Sequence, residues 1–322
     1  HWRFLPRIAP FLLGLARNSS PARLKANGDA MNTLLKTAVA AHRDRLAERG
    51  RAGLLRETGW LHLFRSEASF KASVQDRRAA DERGFPYRIV DREAAQELEP
   101  NLKPSFAKAI FWPDHASVSD PGAVTLNSHE LFLAAGGTFR QASVRAVTRD
   151  GAAWNVALDD GTLQADHVVV ALGPWTMDVL KPLGLRFPFG VKRGYHQHYA
   201  PAGNASLSRP VLDMDNGYVL TPMAQGYRIT TGIEFGDRDA APTPVQIGKA
   251  RAKAGEIFPL AEAVGGEPWL GRRPCLPDSR PIIGPAPGQE GLWLCFGHAH
   301  LGFTLGPVSG ELLAQMMTGE TP

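Results

Sequence analysis

Residues 269–310 read WLGRRPCLPDSRPIIGPAPGQEGLWLCFGHAHLGFTLGPVSG. Two adjacent arginines, Arg272 and Arg273, stand before Pro274, and a P-D-x-x-P-x-I-G turn follows at 277–284. The run GLWLCF (291–296) has the composition of a strand. Gly297 to Gly302 makes a tight turn, and apolar periodicity predicts a helix from about Thr304 to Met317. An arginine fork holds a carboxylate through two parallel hydrogen bonds. The free N–H groups and dipole at a helix start favour an anionic or electron-rich ligand edge. This stretch therefore reads as the ligand-facing joint of an α/β protein.

Working outward, VVVALGPW (168–175) holds a continuously apolar run that fits a strand buried on both faces, as in a parallel sheet. It breaks at Gly173-Pro174-Trp175-Thr176 and passes into a helix. Ligands of open α/β sheets bind at the carboxyl ends of such strands. Before it, ASVRAVTRD, AWNVALDDG and ADHVVVALG form three strand-like runs, and Asp159-Asp160-Gly161 joins the last two as a hairpin. A second β-rich region holds GVKRGYHQHYA, NGYVLTP and GYRITTGIEFG. Helices are predicted over 29–49, with Asp29 as N-cap and Gly50 as stop, and over 91–100, 121–137 and 245–258. The 29–49 stripe contains Met31, Ala38, His42 and Leu46, so His42 reads as packed within it.

Of the 322 residues, 43% are hydrophobic and 21% charged, which suits a globular protein with a sizeable core. Only Cys275 and Cys295 occur, which excludes a disulfide framework and points to a reducing, cytoplasmic setting. Residues 1–92 hold 18 Lys/Arg against 9 Asp/Glu, and the remainder 18 against 23. The basic front half suits solvated helix faces or an anionic surface. No nucleic-acid motif is present. There is no G-x-S-x-G elbow and no phosphate-binding G-x-x-x-x-G-K-[ST] loop. His196/His198 and His298/His300 are each two apart, but without a Cys or carboxylate cluster they do not read as a metal site. The opening HWRFLPRIAPFLLGLAR is too broken by Pro6, Pro10 and three arginines to span a membrane.

GRRPCLPDSRPIIG (271–284), FGHAHLGFT (296–304) and VVVALGPW together resemble the flavin-dependent D-amino-acid oxidase/dehydrogenase superfamily, most closely the bacterial D-amino-acid dehydrogenases. KRGY (192–195), TPMAQGYRITTGIEF (221–235) and ELEP…DP (97–121) extend the resemblance over nearly the whole chain. It implies an α/β fold: a Rossmann-like, glutathione-reductase-like FAD domain with an inserted α+β substrate domain on an antiparallel sheet. The implied division gives 1–58, 114–182 and 271–322 to the FAD domain, and 59–113 and 183–270 to the substrate domain.

By the same resemblance, Val144 meets the adenosine part of FAD, and Ala171, Gly173 and Trp175 lie near its phosphates. Gly297, His298, Leu301, Gly302, Phe303 and Thr304 line the isoalloxazine edge. Arg273 is the implied carboxylate-binding arginine, Tyr218 adds a hydrogen bond to that carboxylate, and the His300 backbone carbonyl meets the substrate amine. Tyr195 reads as structural. The implied reaction is oxidative deamination of D-amino acids to 2-oxo acids and ammonia, with the Cα hydride passing to flavin N5. The electrons go on to a quinone, which places the protein in the cytoplasm or at the inner face of the plasma membrane. Sarcosine, glycine, proline or 2-hydroxy acids offer Arg273 the same carboxylate.

One element of the family pattern is missing. The strand–GxGxxG–helix unit, with an acidic residue about twenty positions on, holds the FAD diphosphate and ribose. This sequence contains no such unit. Beginning at His1, it therefore reads as a fragment lacking its first βαβ unit, exposing a sheet edge and apolar helix faces. The contrasting expectation is an inactive fragment unable to hold FAD.

Overall fold

The computed structural model describes residues 5–320; His1, where the chain begins, lies outside the described residues. The helices are α1 (Leu5–Asn18), α2 (Pro21–Ala47), α3 (Glu67–Ala72), α4 (Val74–Arg83), α5 (Arg92–Leu98), α6 (Pro121–Ala134), α7 (Thr176–Leu180), α8 (Val245–Ile257) and α9 (Gly302–Met317). The first strands are β1 (Leu55–Arg56), β2 (Trp60–Phe64), β3 (Arg88–Val90), β4 (Lys108–Trp112) and β5 (Ser117–Val118). Then come β6 (Val144–Asp150), β7 (Ala153–Leu158), β8 (Gly161–Ala165) and β9 (Val168–Val170). The second β-rich region holds β10 (Gly190–Pro201), β11 (Val211–Asp213), β12 (Tyr218–Met223), β13 (Gly226–Thr230), β14 (Glu234–Phe235) and β15 (Leu260–Cys275). β16 (Ile282–Pro285) and β17 (Leu292–Phe296) precede α9.

The large sheet runs β14-β10-β13-β12-β11-β2-β4-β3, with β15 also paired to β10. Its strands come from two separate stretches of chain, joined where β11 runs parallel to β2. Period-two alternation gives the sheet two unlike faces. Leu61, Leu63, Tyr195, Tyr218, Leu220 and Ile229 bury one face against Ile247, Ala250, Ala254 and Ile257 of α8. The opposite face carries the intervening residues, among them Trp60, Thr221, Arg228 and Thr230.

The smaller sheet is β16-β17-β9, in which β9 and β17 are parallel. Expected burial on both faces of β9 is not found: Val170 is buried, but Val169 is 41% exposed. β9 is an edge strand of this sheet, and its outer side pairs with no described strand. The hairpin at Asp159–Asp160 also differs from expectation. Its returning strand is β8, GTLQA, registered Leu158 opposite Gly161. Two loop residues fix that register locally, so β9 is released to the other sheet. The 270/271 boundary falls inside β15, a continuous strand from Leu260 to Cys275.

The helix expected from Asp29 begins earlier. Ser20 takes the extended N-cap conformation and Pro21 occupies the first turn. Asp29 sits mid-helix, paired with Lys25 at 3.1 Å and with Arg83 at 3.0 Å. The predicted stripe is buried, with Met31 and Ala38 packed on Leu305 and Val308 of α9. Asp91 and Asp120 cap α5 and α6, accepting from the N–H groups of Ala94 and Ala123. Between α2, α6 and α9 lies an open cleft of about 900 Å³ that includes His42, Phe132 and Phe303. Among the described residues no helix is long and apolar enough to cross a membrane.

His62 on β2 packs against Trp112 and His115, with ring centroids 5.5 and 6.5 Å apart. Burial, with a smaller push from His115, takes its imidazole down to about 4. The unfolded chain accepts this proton near pH 6.5. Stability carried by neutral His62 is therefore present above about pH 6.5 and lost as pH falls toward about 4. The loss reaches roughly 3 kcal/mol. Urea melts of the wild type and His62→Leu at pH 7 and pH 4.5 check this. The wild type should lose more stability on acidification than the variant, and equal losses would remove His62 from the account.

Candidate active site

Strand alternation separates the two adjacent arginines. Arg272 turns to one side of β15, where its Nε donates to the carbonyl of Arg238 at 2.7 Å. Arg273 turns to the other, donating to the carbonyls of Gly232 at 2.9 Å and Thr231 at 3.3 Å. Its guanidinium lies across Gly194 of β10, where any Cβ would strike its terminal nitrogens. No carboxylate among the described residues pairs with it. Burial lowers its pKa from the ordinary arginine value. Arg273 is thus a largely desolvated cation, oriented by two carbonyls and without a counter-charge among the described residues.

The turn between β17 and α9 is tied to the end of the same strand. His298 bridges to Cys275, and the Ala299 N–H donates to the Pro274 carbonyl at 2.8 Å. Ala299 takes φ 52°, a left-handed conformation uncommon for a residue with a Cβ. Gly297 is left-handed too, and a Cβ there would stand 2.7 Å from Leu276 Cδ1. Leu301 precedes α9, so the N–H groups of Gly302, Phe303 and Thr304 have no acceptor within the helix. The helix begins at Gly302, two residues before the predicted start.

A second, smaller cavity of about 400 Å³ lies between this helix start, α2 and the open face of the large sheet. Trp60, Thr221, Arg228, Thr230, His300 and Thr304 are among its walls. His300 is held below its ordinary pKa by burial, then by Arg273 and Lys192. His42 stacks on Phe303 at 5.2 Å, with Nε2 3.0 Å from the Phe303 carbonyl oxygen. It therefore packs, as its stripe position predicted. His298 is turned into α9, with Nε2 2.9 Å from Ser309 Oγ. The His196 and His198 rings lie 5.5 Å apart, and His196 stacks on Trp269 at 4.8 Å.

Tyr218 requires a correction. It lies in the core on the α8 side of the sheet. Its neighbour Val219 and the next residue on that face, Thr221, line the cavity instead. Alternation along β12 turns Tyr218 away, beside Arg65 and the buried Asp213. It is not placed to touch a ligand held by Arg273. Tyr195 is structural: its hydroxyl donates to Glu234 at 2.8 Å and accepts from the Thr243 N–H at 2.7 Å.

Ala171, Gly173 and Trp175 follow β9, and Gly297 to Thr304 follow β17. Since β9 and β17 are parallel neighbours, with Val170 opposite Leu294, both groups emerge at one carboxyl edge. Gly173 is left-handed, and Trp175 is 48% exposed under the Arg238 guanidinium. Val144 opens β6 in a different sheet. None of these four lines either of the two cavities. Cys275 and Cys295 are free thiols, both raised in pKa by burial.

Sequence reading missed Arg228 and the role of Gly194. The alternation in GYRIT groups Arg228 with Thr230, but the strand alone does not say which face holds the cavity.

The family described as FAD dependent oxidoreductase (DAO) matches residues 10–316. A glycine oxidase of Pseudomonas aeruginosa is 35% identical over 241 residues, covering 74% of this chain and 65% of that protein. A D-amino acid dehydrogenase of Allorhizobium ampelinum is 32% identical over 280 residues, covering 82% and 64%. The chain thus spans about two thirds of the length of these curated relatives. Among solved structures, the glycine oxidase of Geobacillus kaustophilus superposes with a TM-score of 0.77 at 22% identity, over 95% of this chain and 81% of that one. That likeness supports the fold.

The close approach at Gly194 gives a test of the site's geometry. Gly194→Ala should displace the Arg273 guanidinium while Arg193 and Tyr195 keep their anchors. Affinity for a small carboxylate such as benzoate, measured by calorimetry, should fall at least about tenfold, the loss of one charge-assisted contact. Unchanged affinity would show that this placement of Arg273 does not matter to anion binding.

Proposed function

Given that the chain belongs to the family of FAD-dependent oxidoreductases, we propose that it carries out oxidative deamination of D-amino acids to 2-oxo acids and ammonia. The observation that carries this reading is Arg273: a desolvated guanidinium with no carboxylate partner among the described residues, held by the Thr231 and Gly232 carbonyls beside the α9 turn. It is the charge a substrate α-carboxylate requires.

The residues present fit the ring end of FAD. The first-turn N–H groups of Gly302, Phe303 and Thr304 are unpaired within α9, and Phe303 and Thr304 stand at the cavity wall, suited to an electron-rich edge. Gly297, His298 and Leu301 shape that turn. Ala171, Gly173 and Trp175, at the same carboxyl edge, are assigned to the phosphates, and Val144 to the adenosine. When bound, FAD supplies the acceptor for the hydride that leaves the substrate Cα.

Arg273 fixes the carboxylate and so determines which face of Cα is presented. The His300 backbone carbonyl accepts a hydrogen bond from the substrate amine. Tyr218 is dropped from this set. The resulting imino acid takes up water and releases ammonia, leaving the 2-oxo acid. On this reading the large sheet belongs to a substrate domain and the β16-β17-β9 sheet to the cofactor domain. The electron acceptor is a quinone, a reading favoured by the dehydrogenase relative and by the basic 1–92 segment. A second substrate, glycine, is favoured by the relative of 35% identity named a glycine oxidase.

Anaerobic titration of the FAD-loaded protein with D-alanine, L-alanine and glycine tests the reading. D-Alanine should bleach the flavin band, and L-alanine should not. Arg273→Met should slow that bleaching by about a thousandfold or more while the flavin stays bound. Bleaching by glycine alone selects the second reading, and equal bleaching by both alanine enantiomers would overturn the stereochemical assignment.

A further inference from the structure

Arg228 is the only lysine or arginine among the described residues lining the 400 Å³ cavity. It stands on β13 between Tyr227 and Ile229, which pack against the α8-side core. Alternation turns it to the cavity face, opposite Thr221 on β12 and His198 on β10. Its Nε is buried with no acceptor. Among the described residues no ion pair or side-chain hydrogen bond satisfies it, and burial alone lowers its pKa.

The groups around it do not supply the missing charge. His196 and His198 are pushed toward the neutral form by burial and by Arg228 itself. Asp120, the acid felt by His198, is engaged at the N-cap of α6. Trp60, Thr221, Val219 and Thr230 complete this part of the wall without an acidic residue. A guanidinium stays charged, and desolvating it without a counter-charge is unfavourable. Structural arginines of this chain are answered: Arg65 by Asp213 at 2.8 Å, Arg209 by Glu99 at 2.8 Å. Arg228 and Arg273 are the exceptions at the site.

The two exceptions approach from different ends. Arg273 pairs across β10 with Lys192, and Arg228 with His198. Their side chains therefore address different parts of one open sheet face, and His300, which feels the charge of Arg273, is part of the cavity wall.

We propose that the substrate is an amino acid with an acidic side chain, whose α-carboxylate meets Arg273 and whose second carboxylate meets Arg228, aided by the hydroxyls of Thr221 and Thr230. This rests on the assignment of Arg273 above. Arg228 is then the specificity residue of the cavity. It takes no part in the redox step.

Calorimetry on the FAD-loaded protein separates the two assignments, using glutarate and its one-carboxylate counterpart butyrate as unreactive probes. Glutarate should bind at least about thirtyfold more tightly than butyrate. Arg228→Met should abolish that difference and leave butyrate within about twofold of wild type; Arg228→Lys should restore part of it. Turnover should follow, with D-glutamate favoured over D-glutamine in the wild type and not in Arg228→Met. Equal binding of glutarate and butyrate by the wild type overturns the proposal, even if the Met variant fails to fold. So does a glutarate preference that survives in Arg228→Met. Arg273→Met reports on the other assignment: if butyrate binding is unaffected there, Arg273 is not the α-carboxylate residue, and the two-point substrate falls with it.

Discussion

The ladder between β10 and β15 is the constraint on which the site depends. It runs antiparallel from Gly190 opposite Cys275 to Pro201 opposite Leu260. Near one end it puts Arg273 next to a strand position, Gly194, that has no side chain to fend it off. Two residues after Arg273, the same strand ends at Cys275, which bridges to His298 and so fixes the turn that opens α9. A single ladder thus sets the cation and the helix start relative to each other. Hydrogen bonds that are individually worth about 1 kcal/mol net acquire a positional role here beyond their contribution to stability.

The arginines divide by how their charge is answered. Arg193 is fully buried, yet it donates to the carbonyls of Asp237, Ala240 and Ala241 and lies 3.6 Å from Glu234. It pins the 237–241 loop to β10. Arg238, in that loop, pairs with Asp178 at 2.6 Å and so links the large sheet to α7. These residues give up hydration and recover it in protein contacts. Among the described residues Arg273 recovers two carbonyl contacts and no carboxylate, and Arg228 has no hydrogen-bonded partner at Nε. Two cations of one site left without a carboxylate favour an anion at that place.

Much of this was legible in the sequence because local chemistry decided it. Asp91 announced its helix as a side-chain cap, and the run from Gly297 to Gly302 marked the turn before α9. The strand positions of VVV and GLWLCF were likewise set by their own patterns, whereas the strand through GRRP was not foreseen. The failures share a cause: each depended on a partner far away in sequence. Alternation identified two faces of β12 and could not say that α8 covers the one bearing Tyr218. The Asp-Asp-Gly turn was visible, but which run returned from it depended on β9 finding β17 more than a hundred residues later. Asp29 had the chemistry of a cap, and was overruled by Pro21 upstream and by Arg83 from another helix.

The start of α9 has one further property. His42 and Phe303 line both the 400 Å³ cavity and the 900 Å³ cleft, and their stacked rings stand at the boundary between the two. Gly302 and Phe303 contribute to the cleft, while Phe303 and Thr304 contribute to the cavity. The unpaired N–H groups of one helical turn are therefore shared between two spaces of different character. The cavity is walled by a sheet face that holds an unanswered cation. The cleft is walled by helices α2, α6 and α9. Helix α9 thus starts at the boundary of the two spaces, and the β15 ladder, through Cys275 and His298, holds it there.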